Sequence, residues 1–225
     1  EMCIRDRVES SHAAVEAGAS IIHAHVRNPD GSASSDPEKF ARLQEELRYH
    51  CPEIIIQFST GGRSGSGRER GGMLSLCPEM ASLAVGSNNF PTRVYENSPD
   101  LVAWLASEMQ NYKIVPEVEA FDLSHIFRAI KMHDEGQLFG QLYVQFVMGV
   151  KNAMPADRSV FDFYVSLMRN RAPDAAWCAA GIGANQILVN EWAIAAGGHT
   201  RAGLEDNVRL CLLYTSPSPR DVEES

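Results

Sequence analysis

The chain has 225 residues, of which 44% are hydrophobic and 22% charged, enough to bury one substantial core but short for two domains. A formal net charge of −9 argues against a nucleic-acid or anionic-membrane partner, either of which normally meets a basic face. No apolar run reaches the roughly 18 residues needed to span a membrane, and no signal peptide is visible.

In chain order, Val8–Ala17 reads as a helix closed by Gly18 at its C′ position, and Ser20–Val26 as a strand. Asp36, Pro37 and Glu38 are an N-cap, an N1 proline and a first-turn acid, opening a helix to about Tyr49. Glu53–Ser59 is a nearly continuous apolar strand, as a parallel sheet covered on both faces requires. Strands then fall at Met80–Val85, Lys113–Glu119, Leu138–Val147, Ala176–Ile182 and His199–Gly203. Helices at Pro99–Asn111, Asp122–Asp134, Asp157–Arg169 and Gln186–Ala196 separate them. Seven strands alternating with helices predict a parallel sheet with right-handed crossovers. No GxGxxG follows a first strand, which favours a TIM (β/α)8 barrel over a doubly wound nucleotide-binding sheet.

Five scattered cysteines include no CxxC, so reduced thiols in a cytoplasmic protein are expected. Both ends look foreign: EMCIRDR at 1–7 and the tail from Cys211 resemble translated sequencing-adapter read-through, and TSPSPR sets two prolines where a last helix should continue. The expectation is one barrel domain over residues 8–210, truncated at both ends, its first strand and last helix region missing or replaced.

His23-Ala24-His25 is the strongest local signal. Alternate residues of a strand face one way, about 6–7 Å apart, so two imidazoles can converge on a metal at a strand's C-terminal end. The alternative is two satisfied histidines. Glu205-Asp206, after the last strand, reads either as a third oxygen ligand with a neighbouring acid or base, or as a helix cap. Ser59-Thr60-Gly61-Gly62 ends a buried strand and enters a glycine-rich loop suited to an anion, with Ser59 and Gly62 read as site residues. Arg63, Arg68 and Arg70 in that loop either add charge to it or belong to a flexible solvated segment, the latter favoured. Glu117 and Glu119 share a strand face, with Glu119 at the mouth, and Gly181 and Gly183 allow close backbone approach. His12, His50, His125 and His133 are expected on helix surfaces and Cys178 in the core.

Taken together, EAGASIIHAHVRNPDG, PEIIIQFSTGG, PEMASLAVGSNNF, VPEVEAFDLSHI, QFVMGV, AGIGANQ and GGHTRAGLEDN resemble the beta-keto acid cleavage enzymes. The resemblance implies a TIM barrel holding Zn2+ through His23, His25 and Glu205. It implies condensation of a β-keto acid with acetyl-CoA to acetoacetate and a new CoA thioester. Ser59, Gly62 and Ser82 match its substrate-binding positions, and Arg201, Asp206 and Glu119 its catalytic ones, with Arg201 expected to orient Asp206 and keep it ionised. It also implies a homo-oligomer. Two departures stand out: the family's first strand and final helix are absent, and Ala184 replaces a common arginine. An inactive fragment of such an enzyme is the main alternative, and a metal-dependent barrel hydrolase a weaker one.

Overall fold

The computed structural model describes residues 4–62, 67–211 and 214–215. Seven parallel strands form the main sheet: β1 Ile21–Ala24, β4 Ile55–Phe58, β5 Met80–Ala84, β8 Val115–Ala120, β9 Tyr143–Met148, β10 Ala176–Gly181 and β11 His199–Arg201. They lie side by side in that order, which is also chain order. Helices α2 Pro37–His50, α3 Pro99–Asn111, α4 Leu123–Asp134, α5 Arg158–Arg171 and α6 Gln186–Ala195 make five of the six crossovers, as the alternation predicts. Among the described residues β1 and β11 are the two edges, with no ladder between them. The sheet is thus an incomplete α/β barrel, open at one seam.

The one N-cap read from the sequence holds, and three more are found. Asp36 accepts from Glu38 N with Pro37 in the first turn, and Ser98, Asp122 and Asp157 cap α3, α4 and α5 in the same way. Helix α1, Ile4–Glu16, begins four residues before the predicted start, inside the segment read as foreign. Gly18 follows it with φ +98°. Most strands are shorter than predicted because only their central residues find ladder partners; 138–142 is loop.

Three features were not read from the sequence. Small antiparallel pairs join β2 Val26–Arg27 to β3 Ala33–Ser34, and β6 Asn88–Phe90 to β7 Arg93–Tyr95. The glycine-rich stretch folds into successive 3-10 turns over Gly67–Leu76. A last antiparallel pair, β12 Arg209–Cys211 and β13 Tyr214–Thr215, straddles the expected boundary at residue 210 and enters the tail read as foreign; the rest of that tail, and Arg63, lie outside the described residues.

Strand alternation sorts the side chains. On β8 and β9, Val118, Ala120, Val144 and Phe146 face the helices and join the main apolar core. Phe146 stacks on Trp177 with ring centroids 5.2 Å apart and meets Phe161 of α5 edge-on. The opposite face carries Gln57, Ser82, Glu117, Glu119 and Gln145, all buried. This barrel is therefore apolar outside and polar within, and polar residues interrupting apolar strands mark its interior.

Candidate active site and metal centre

His23 on β1 and His25 just beyond it point into the mouth. Their Nε2 atoms lie 3.2 Å apart, with rings edge to face at 5.0 Å. Glu205, carried back over the mouth by the turn after β11, sets one carboxylate oxygen 3.3 Å from His23 Nε2 and the other 2.9 Å from His25 Nε2. All three ligand-atom positions fall within 4.8 Å of one another. Two imidazole nitrogens and a carboxylate oxygen match the donor set of a catalytic zinc that keeps one position open. Burial opposes ionisation of Glu205, but hydrogen bonds from both histidines overcome it and hold the carboxyl well below its usual range. His23 is desolvated, yet its bond to Glu205 raises its pKa.

The far side of His23 is equally organised. The β1–β4 register sets His23 beside Gln57, and His23 Nδ1 lies 2.5 Å from Gln57 Oε1. An amide oxygen accepts only from N–H, so Nδ1–H faces Gln57, and release of the Nε2 proton that Glu205 accepts would leave that lone pair for a metal. Gln57 is 1% exposed, and its Nε2 has no hydrogen-bond partner among the described residues. Sequence reading passed it over, although a lone polar residue in EIIIQFS was the available signal.

Next to the cluster, Arg201 grips Asp206 bidentately, Nε donating to Oδ2 at 2.9 Å and Nη2 to Oδ1 at 2.7 Å. The same Nη2 lies 3.5 Å from Glu205, tying this pair to the metal-ligand set. Burial would lower the guanidinium's pKa, but Asp206 and the nearby glutamates raise it, so it stays charged. Glu119 sits 4.0 Å from Arg201 Nη1, and desolvation outweighs Arg201 and His23 to push its carboxyl up to about 7. Glu117 lies deeper and accepts from the Cys178 thiol at 3.4 Å; burial holds that thiol well above its usual pKa, so Cys178 is an inert core group as expected.

Opposite stands the loop after β4. Ser59 Oγ accepts from Gly61 N at 3.1 Å. Ser82 is fully buried and engaged with Thr60: its Oγ accepts from Thr60 N, and Thr60 Oγ1 donates to Ser82 O at 2.6 Å. Arg70 departs from the solvated loop expected of it, since the 3-10 turns fold it inward to bond Thr60 O and Asn97 Oδ1, each at 2.7 Å. Arg68 stays exposed, over the Trp104 ring. His125 is likewise no surface residue: α4 turns it under β5, where its Nδ1 accepts from Phe121 N at 3.2 Å. Gly181 is needed for its own chain, because a Cβ there would sit 2.3 Å from Asn185 O.

The fold and this cluster define a barrel enzyme with a two-histidine, one-carboxylate centre able to hold a metal. Residues 3–217 match the family model described as beta-keto acid cleavage enzyme, and the chain belongs to that family. It is 60% identical over 215 residues to the 3-oxoadipate:acetyl-CoA acetyltransferase of Cupriavidus necator, covering 96% of this chain and 76% of that protein. It is 36% identical to the 3-keto-5-aminohexanoate cleavage enzyme of Fusobacterium nucleatum, covering 92% and 75%. Among solved structures, the apo form of ObcA superposes with a TM-score of 0.78 at 18% identity, over 92% of this chain and 55% of that one. The chain thus spans about half of ObcA, and that likeness speaks for the fold.

Proposed function

We propose that this protein is a zinc-dependent β-keto acid:acetyl-CoA acyltransferase, with 3-oxoadipate the first substrate to try. The observation that carries this reading is the convergence of His23, His25 and Glu205 beside the Arg201–Asp206 pair, in a chain 60% identical to a 3-oxoadipate:acetyl-CoA acetyltransferase. Zinc, held by those three residues, supplies Lewis-acid polarisation of the β-keto oxygen. Asp206, gripped by Arg201, takes the proton from the carbon between keto and carboxylate groups. Glu119, with its carboxyl near neutrality, exchanges a second proton at the mouth. Ser59 and Gly62 form the substrate-binding wall, and Ser82 holds it from behind through Thr60. The bond between C2 and the acyl carbon breaks, the acetyl group of acetyl-CoA joins C2 to give acetoacetate, and CoA leaves with the acyl group, which for 3-oxoadipate is succinyl.

One barrel domain over residues 8–210 belongs to this reading, since all seven strands of the main sheet fall inside it. So do a cytoplasmic setting, where acetyl-CoA is available and the thiols of Cys51 and Cys178 stay reduced, and a homo-oligomer. No described helix is long and apolar enough to cross a membrane. The test is acetoacetate formation that requires zinc, acetyl-CoA and 3-oxoadipate together; a zinc-loaded chain giving none from any of a panel of β-keto acids overturns the reading. The open seam between β1 and β11 favours one other reading, a chain that binds zinc without turnover, which the same assay separates.

A further inference from the structure

Beneath the loop after β4 lies a buried cation whose partners among the described residues are all neutral. Arg70 is 2% exposed and donates to Thr60 O, Glu96 O, Asn97 Oδ1 and the Tyr95 hydroxyl, with its guanidinium 5.4 Å from the Tyr95 ring centroid. A guanidinium withdrawn from water without a carboxylate leaves positive potential at whatever surface lies nearest. Its route to the mouth is Tyr95. The Tyr95 oxygen accepts from Arg70 Nη2 at 3.3 Å, and the Gly62 amide also directs its N–H there. With that oxygen acting as acceptor for two donors, and no described acceptor taking the phenol's own proton, the O–H is left to donate.

The geometry around Gly61 shows which way. A Cβ added there would lie 3.0 Å from Ser59 Oγ, 3.9 Å from the Tyr95 oxygen and 4.0 Å from His25 Cε1. The phenol, the serine and a metal-binding imidazole therefore ring one small space, kept open by a residue without a side chain. The ring itself is fixed, stacked on Phe90 at 5.2 Å and edge-on to Phe121 at 5.9 Å. Burial, with Glu119 close by, keeps the phenol protonated far above neutrality, so it is a standing donor.

We propose that Tyr95 binds substrate, its hydroxyl donating to a carboxylate of the β-keto acid, with Arg70 the positioning residue that turns it and lends it charge. This rests on the acyltransferase reading. Tyr95→Phe retains the ring and both aromatic contacts, so folding is preserved. Expected is a KM for 3-oxoadipate raised about tenfold or more, the loss of one hydrogen bond to a charged group, with zinc content and the KM for acetyl-CoA unmoved. Arg70→Lys keeps the charge but loses the fork, and gives a smaller rise in the same KM. Running 3-oxohexanoate beside 3-oxoadipate tells which carboxylate is held: a rise with both identifies the one at C1, and a rise with 3-oxoadipate alone the distal one. An unchanged KM for both acids, even with a lowered melting temperature, overturns the proposal and leaves Tyr95 as a brace for Arg70. A wild-type protein that turns over neither acid overturns the acyltransferase reading, and this inference with it.

Discussion

His23 is specified from two sides, by Glu205 across the mouth and by Gln57 on the adjacent strand. The convergence of His23, His25 and Glu205 was legible because period-two spacing at a strand end needs only the local sequence, and the HTRAGLEDN turn offered the third donor atom. Gln57 was not legible, because nothing local says which strand lies beside β1 or in what register. On the zinc reading, His23→Ala or Glu205→Ala removes the metal, and elemental analysis should fall from about one zinc per chain to none. Unchanged zinc in both variants defeats the assignment. Gln57→Leu is subtler. It frees His23 to take either tautomer, and zinc affinity should drop about 10- to 100-fold in a chelator competition while stoichiometry holds. An affinity equal to wild type would show that the amide does not orient the ring.

At the scale of elements, local signals located the helices to within a few residues: Asp36-Pro37 was read as a cap, and Ser98, Asp122 and Asp157 turn out to cap α3, α4 and α5 from residues adjacent to the predicted starts. Burial was harder to read, and α4 is the example. Its His125 looked like a surface residue on an amphipathic helix, but it packs beneath the turn after β5, where Gly86 leaves room. A Cβ at Gly86 would lie 2.2 Å from His125 Nε2, so Gly86→Ala should cost about 1–3 kcal/mol of stability in denaturant unfolding. Desolvation lowers the His125 pKa, Arg128 lowers it further and Asp122 opposes them. The unfolded chain then binds a proton at His125 more readily than the folded one does. That contribution to stability is fully present above pH 6.5 and is lost as pH falls from there towards the depressed folded value. Melting temperatures of wild type should decline over this acid range more steeply than those of His125→Gln, which keeps an acceptor for Phe121 N; parallel curves would rule the histidine out.

For the whole molecule, the barrel was readable from seven alternating strands, and its open seam from the absence of an eighth. What the alternation could not show is how the seam is lined. Helix α1 and the facing edges of β1 and β11 border a cavity of about 960 Å³ that runs from Ser11 and Ile21 past His199 to His23, His25 and Glu205. Among the described residues no strand pairs with the outer edge of β1 or of β11, so both edges offer a row of backbone donors and acceptors to another chain. Self-association should therefore rise with concentration in light scattering and run through these edges rather than through the helical shell. Thr200 is the site to test this, for it is exposed, lies at the centre of β11 and pairs with Ala179 on one side only. A lysine there sets a charge on the open edge, so Thr200→Lys should shift the protein towards monomer without loss of bound zinc. If the variant associates as strongly as wild type, the edge is already covered, and the contact between copies must be sought on the exposed apolar side chains of α6, Ile187 and Ile194 among them.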